Sequence, residues 1–235
     1  MNSLNFNRMY FLFARQLMFN IRVTMLALLA ICGPVALVSF IYFYLQQSSA
    51  LGLKDFFMTF FFIGGFVYTS KVFSELHSPS KSYAYLTLPV SNTERLAVSW
   101  FLSSPLYALF FSSFVLAILF LSNITSHQHI SVLEIFDSNY FIKVSVYLAL
   151  QPIFLLGACH FRKNNFLKTV LSIFIFILIL LVFTVALAYA LFGDQGFNFN
   201  YNPEISSGII EMILFAITGA FFLLVTYFKL KEREI

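Results

Sequence analysis

The chain has 235 residues, of which 60% are hydrophobic and only 10% charged, with a formal net charge of +4. Soluble domains use roughly 25% charged residues, so this chain has too little polar surface to cover a core in water and is expected to face lipid. A pI of about 9.0 does not point to nucleic acid, because the Lys and Arg residues sit at the edges of apolar blocks and form no stripe of their own.

Residues 1–22, MNSLNFNRMYFLFARQLMFNIR, set Phe6, Met9, Phe13, Leu17 and Ile21 at helical spacing, with Arg8, Arg15 and Arg22 largely off that stripe. They read as an amphipathic helix in the membrane interface. An ordinary cytoplasmic tail is the alternative, since Tyr10, Phe11 and Leu12 blur the two faces. Six apolar blocks follow, each near the roughly 17–25 residues that a membrane-crossing helix needs: 23–45, 56–73, 100–121, 141–161, 169–192 and 208–228. The second is the shortest and contains Gly64-Gly65. Pro34 and Pro152 fall inside the first and fourth, where a missing N–H kinks a helix, and both are candidate pathway or gate residues. The expected fold is an all-α polytopic membrane protein: six transmembrane helices over 23–228, an amphipathic N-terminal interfacial helix and a tail at 229–235.

Cations orient these blocks. Arg8, Arg15 and Arg22 precede the first; Lys71, Lys81 and Arg95 fall between the second and third; Arg162, Lys163 and Lys168 between the fourth and fifth; Lys229, Lys231 and Arg233 after the sixth. Only Lys54 and Lys143 fall on the other side, so the positive-inside rule expects both termini in the cytoplasm. The outer loops are too short for a folded domain, which takes about 50 residues or more. The loop at 193–207, where aromatics alternate with Asn, could dip back into the bilayer as a re-entrant element if protein covers its backbone. Glu211 follows it, as an interfacial carboxylate or a pathway contact.

Signatures of catalysis are missing: there is no G-x-x-x-x-G-K-[ST] phosphate loop, no H-E-x-x-H pair, no G-x-S-x-G elbow and no pair of carboxylates within a block. His127 and His129 alternate in an outer loop, but two ligands without a third are a weak metal signal. Cys32 and Cys159 lack metal-site or disulfide spacing. The chain is therefore expected to be non-catalytic and to hold no cofactor or metal of its own.

The longest polar stretch, between the second and third blocks, is the most informative. Pro89 biases Leu88 toward an extended conformation. Ser91 then begins a new helix, with Glu94 three residues on forming a capping box, and no further breaker comes before Pro105. Ahead of it, Phe73, Leu76, Tyr83, Tyr85 and Leu86 make an amphipathic cytoplasmic segment. A bare turn between neighbouring helices needs about 2–8 residues; a stretch this long favours docking of a partner.

Lys81 to Phe101, KSYAYLTLPVSNTERLAVSWF, resembles the cytoplasmic segment of ABC-2 type permeases, in which an L-x-L-P-[VA]-S run precedes a helix with a Glu and a basic residue. Here these are Leu86, Leu88, Pro89, Val90 and Ser91, followed by Glu94 and Arg95. The resemblance implies the membrane subunit of an ATP-binding-cassette exporter, paired with a second permease subunit in a homo- or heterodimer and with a separate ATPase subunit that holds ATP and Mg. It further implies a coupling segment within 74–96, with Glu75, Leu76, His77, Lys81, Tyr83 and Tyr85 meeting the ATPase and Arg162 and Lys163 making a second contact. Pro89, Ser91 and Glu94 would then cap a lever helix. A different class of function, a polytopic scaffold or sensor that binds a cytoplasmic partner without transport, suits the same features.

Overall fold

Where no water is at hand to pair backbone N–H and C=O groups, a membrane segment must satisfy them within itself, and the helix does so. The computed structural model describes residues 5–19, 21–46, 53–125, 135–192 and 208–232, and among these there is no strand. The helices are α1 (Phe6–Phe19), α2 (Ile21–Gln46), α3 (Lys54–Thr69), α4 (Pro79–Leu86), α5 (Asn92–Ser103), α6 (Pro105–Thr125), α7 (Ser138–His160), α8 (Asn165–Phe192) and α9 (Gly208–Lys231), with a 3-10 turn at Ser74–His77. Among the described residues, five segments are long and apolar enough to cross a bilayer: Met25–Tyr42, Asn92–Leu121, Ser138–His160, Asn165–Leu191 and Ile213–Lys231.

The block expected at 56–73 is not among them. Its helix, α3, has 16 residues, about 24 Å at 1.5 Å per residue, against a hydrocarbon core of about 30 Å. Past Ser70 the backbone leaves the α-helical pattern for tighter turns, the Lys71 N–H bonding to the Tyr68 carbonyl and the Val72 N–H to the Thr69 carbonyl. Phe73, which extended the apolar block, belongs instead to a small core at the helix end, with Leu76, Tyr85, Leu155, Cys159 and Leu230. The apolar segment that holds the third block runs from Asn92 to Leu121, beginning where the helix expected from Ser91 begins, and Glu94 and Arg95 are buried within it.

The main core surrounds α3. Phe61 has its ring 4.6 Å from that of Tyr147, 5.4 Å from Phe111 and 5.6 Å from Tyr107, and Phe66 stacks on Phe154 at 4.1 Å. Gly64 and Gly65 let these rings close over the helix: a Cβ on Gly65 would fall 2.5 Å from the Tyr147 ring. Along α7 and α9 the helices touch at Gly219, where a Cβ would lie 3.1 Å from the Ala149 carbonyl. By contrast, beyond Thr169 no described side chain of α8 is buried.

A helix forms at the N-terminal end as expected, and part of its apolar stripe turns toward α5. Leu12, with Met9, Phe13 and Leu17, packs on Val98 and Leu102 of α5, whereas Phe6 is 83% exposed and Ile21 is also exposed. The cause is polar as well as apolar: Asn5, Arg15 and Gln16 all bond to groups of the polar stretch or α5. The segment 193–207, with its expected re-entrant character, and His127 and His129 lie outside the described residues.

The two ends of the bundle differ in charge. One gathers α1, the polar stretch, the end of α7, the start of α8 and the end of α9. The other carries Lys54 and Lys143, paired with Asp137 at 2.5 Å and Asp55 at 2.9 Å. Asp137 also caps α7, accepting the Tyr140 N–H at 2.9 Å.

Two outcomes are expected. Gly65→Ala drives a methyl into a ring held on several sides and should cost about 1–3 kcal/mol, read as a lower melting temperature in detergent. Lys54 and Lys143 hold the Asp137 and Asp55 carboxyls below their ordinary 3.8. Lowered native values mean that this stabilisation is complete above that pH and is lost as pH falls through them. Melting temperature should therefore drop on acidification below about pH 4, and Asp137→Asn should lower it at neutral pH while flattening that acid limb.

Candidate functional site

The polar stretch folds into one unit from residue 74 to residue 103. Ser78 is extended and Pro79 opens α4, a position where its missing N–H costs nothing. After Leu86 the chain leaves the helix through Thr87–Val90 and re-enters at Ser91. The expected capping box is present: the Ser91 hydroxyl accepts from the Glu94 N–H at 3.3 Å, and Glu94 Oε2 accepts from the Ser91 N–H at 2.8 Å. The other carboxylate oxygen of Glu94 accepts from the backbone N–H of Asn5 at 2.8 Å. One residue thus caps α5 and ties down the start of α1.

Arg95, 1% exposed, closes the gap between α4 and α5. Its Nη2 donates to the carbonyl of Leu86 at 2.9 Å, an acceptor that the end of α4 leaves without an intrahelical partner, and to that of Leu88 at 3.3 Å, which also accepts from the Val90 N–H at 2.7 Å. Its guanidinium stands 5.3 Å from the centre of the Tyr85 ring, and that of Arg15 stands 5.7 Å from the same ring. Burial pushes the Tyr85 hydroxyl up to about 12, so it stays neutral between them. Arg15 then reaches Glu75 at 3.2 Å. His77 bonds to the Ala158 carbonyl at 2.8 Å, fixing the 3-10 turn to the end of α7.

This arrangement redistributes the sequence candidates. Glu75, Leu76 and Tyr85 are buried: Glu75 in an ion pair with Arg15, Leu76 in the small core beside Phe73, and Tyr85 between two guanidiniums. His77 is half-buried. Lys81 and Tyr83 are exposed on α4, and Arg162 and Lys163 are exposed on the turn between α7 and α8, where Asn164 takes a φ of 54°. Pro89 is exposed, and Pro34 lies on the outer face of α2. Pro152 is buried in α7, and Glu211 falls in the first turn of α9, its side chain outside the described residues.

Sequence reasoning missed a second polar cluster inside the apolar core. Ser104 and Pro105 break the α5–α6 rod, and the Ser103 carbonyl at the break accepts from the Tyr147 hydroxyl at 2.7 Å. Gln151 donates to Thr69 Oγ1 at 3.2 Å and to the Ser103 hydroxyl. Gln151 beside Pro152 was the available signal, since a fully buried amide needs partners. Among the described residues no three His, Cys, Asp or Glu side chains converge to hold a metal ion. What the site offers is mechanical: a cross-braced unit leading straight into a long apolar helix.

Comparison of the chain with family models, curated proteins and solved structures finds no match in any of the three.

Arg95→Lys keeps the charge but loses the fork that spans two carbonyls. It should destabilise by about 1.5–3 kcal/mol, seen as a lower melting temperature and as earlier protease cleavage within residues 86–91.

Proposed function

We propose that this chain is the permease subunit of an ATP-binding-cassette exporter, working with a second permease subunit and a separate cytoplasmic ATPase that binds ATP and Mg. On this reading the chain crosses the membrane six times. Although short, α3 completes its crossing within a sheath of α2, α6 and α7. The basic end of the bundle is cytoplasmic, both termini with it, which follows the positive-inside rule.

One observation carries the proposal. The braced unit at residues 74–103 exposes Lys81 and Tyr83 at its outer face and continues through α5, without a break until Ser104, into a membrane-crossing segment. A push on α4 passes through Arg95 and the Ser91 cap to α5 and shifts the wall of the bundle. Phe61, Tyr107, Phe111 and Tyr147 fill the interior of a single copy, so the translocation path runs between two copies and not through one. The same unit without transport is the scaffold or sensor.

Two measurements test the reading. A tagged chain extracted in mild detergent should retain a nucleotide-binding subunit. Lys81→Glu with Tyr83→Ala, or Arg162→Glu with Lys163→Glu, should reduce its recovery several-fold with no change in melting temperature. Recovery of no nucleotide-binding subunit would leave the scaffold reading in its place. Ser91→Ala should cost about 0.5–2 kcal/mol locally and lower the substrate-stimulated ATPase rate of the assembled complex while the subunit stays bound.

A further inference from the structure

Beside the filled core, the described residues of the bundle form a large apolar recess on its outside. Two cavities of about 530 and 620 Å³ lie between α5, α7 and α9 and share Trp100, Ala220 and Leu223 in their walls, so they adjoin along α9 as two halves of a slot. Each volume falls within the roughly 300–1,000 Å³ of small-molecule sites. The slot exists because α9 presents small residues, Ala216, Gly219 and Ala220, where bulkier ones would have filled it. Its rim is open to the surrounding medium, with Ile142 and Leu224 both exposed.

Shape and charge narrow the occupant. On α9 the slot runs from Phe215 to Tyr227, about 18 Å at 1.5 Å per residue, more than half of the ~30 Å hydrocarbon core. It is elongated along the helix axes, which suits a chain and not a compact molecule. At one end it is walled by Ile142, Val146 and Phe215, with Ile142 one residue from Lys143 at the far end of the bundle. Its other end carries Thr93 and Tyr227. One turn further along the same α9 stripe stands Lys231, exposed at the basic end of the bundle. We infer that this slot is a phospholipid site, holding one acyl chain against Trp100, Ala220 and Leu223 with an anionic headgroup at Lys231. The site is independent of whether the chain transports anything.

Trp100 is the only tryptophan in the chain, and it lines both halves of the slot, so its fluorescence reports occupancy directly. The full-length protein is titrated in detergent micelles with phosphatidylglycerol bearing brominated acyl chains, which quench indole on contact. Quenching should saturate, with a preference over random micelle mixing on the order of tenfold, the factor that about 1.4 kcal/mol supplies. Phosphatidylcholine with the same brominated chains should bind more weakly to the native protein and as well as phosphatidylglycerol to Lys231→Gln. Ala220→Phe fills the slot and should abolish the saturable phase; Ala216→Val, a milder change, should weaken it if the larger substitution prevents folding. Quenching that only follows the lipid fraction of the micelle, or persists in Ala220→Phe, overturns the site. A native Trp100 that no brominated lipid reaches also overturns it, since a protein surface such as a second copy would then cover the slot. Equal binding of the two headgroups in the native protein overturns the role given to Lys231.

Discussion

The basic end of the bundle is organised by one constraint: a guanidinium buried at the start of a membrane-crossing helix must find acceptors for its donors. Arg95 carries five N–H groups and is almost wholly enclosed. Burying a charge without partners costs far more than a domain can offset, so the chain has to bring oxygen to it. It does so by ending α4 at Leu86 and turning through Leu88, which points two carbonyls at the same nitrogen. The aromatic face of Tyr85 takes another side of the group, and Tyr85 in turn sets where Arg15 can stand. From that single burial follow the break between α4 and α5, the placement of the 3-10 turn and the docking of α1.

The middle of the bundle obeys a related rule with neutral groups. Helix breaks at membrane depth are tolerated only where other groups satisfy the freed backbone. Tyr147 supplies the donor at Ser103, and Gln151 links Thr69 and Ser103 around it. The aromatic rings that fill the core therefore hold a polar joint in place as well as excluding space. Gly64 and Gly65 allow the close approach that makes this possible.

Much of this was legible in advance, and the failures have a common cause. Block length and apolar composition report whether a segment can live in lipid, and five long helical segments follow from them directly. The capping box at Ser91 and Glu94 is a local motif with a fixed spacing, so it needed no tertiary information. Charge was read as a boundary marker. Glu94 and Arg95 set the edge of the third apolar block at Trp100, although its helix was expected from Ser91, because reading along the chain cannot tell a solvated Arg from one whose partners arrive from residues 86 and 88. Nor does it show that Arg15, some sixty residues earlier, pairs with Glu75 and stands over the Tyr85 ring. For α3 the error ran the other way: Val72 and Phe73 are apolar and extended the block, yet they serve a core beyond the helix end.

One helix stands apart in how it is held. The amide of Asn165 donates to the carbonyls of Ser70 and Ala158, and Thr169 seats against Gly157; after that first turn α8 presents greasy side chains in every direction. A rod apolar all round has no preferred azimuth, since every rotation about its axis exposes the same chemistry to lipid. Within one copy of the chain its tilt and spin are therefore set at a single pivot. Bilayer thickness, through the cost of mismatch, and whatever protein surface lies beside it become the variables that choose its pose.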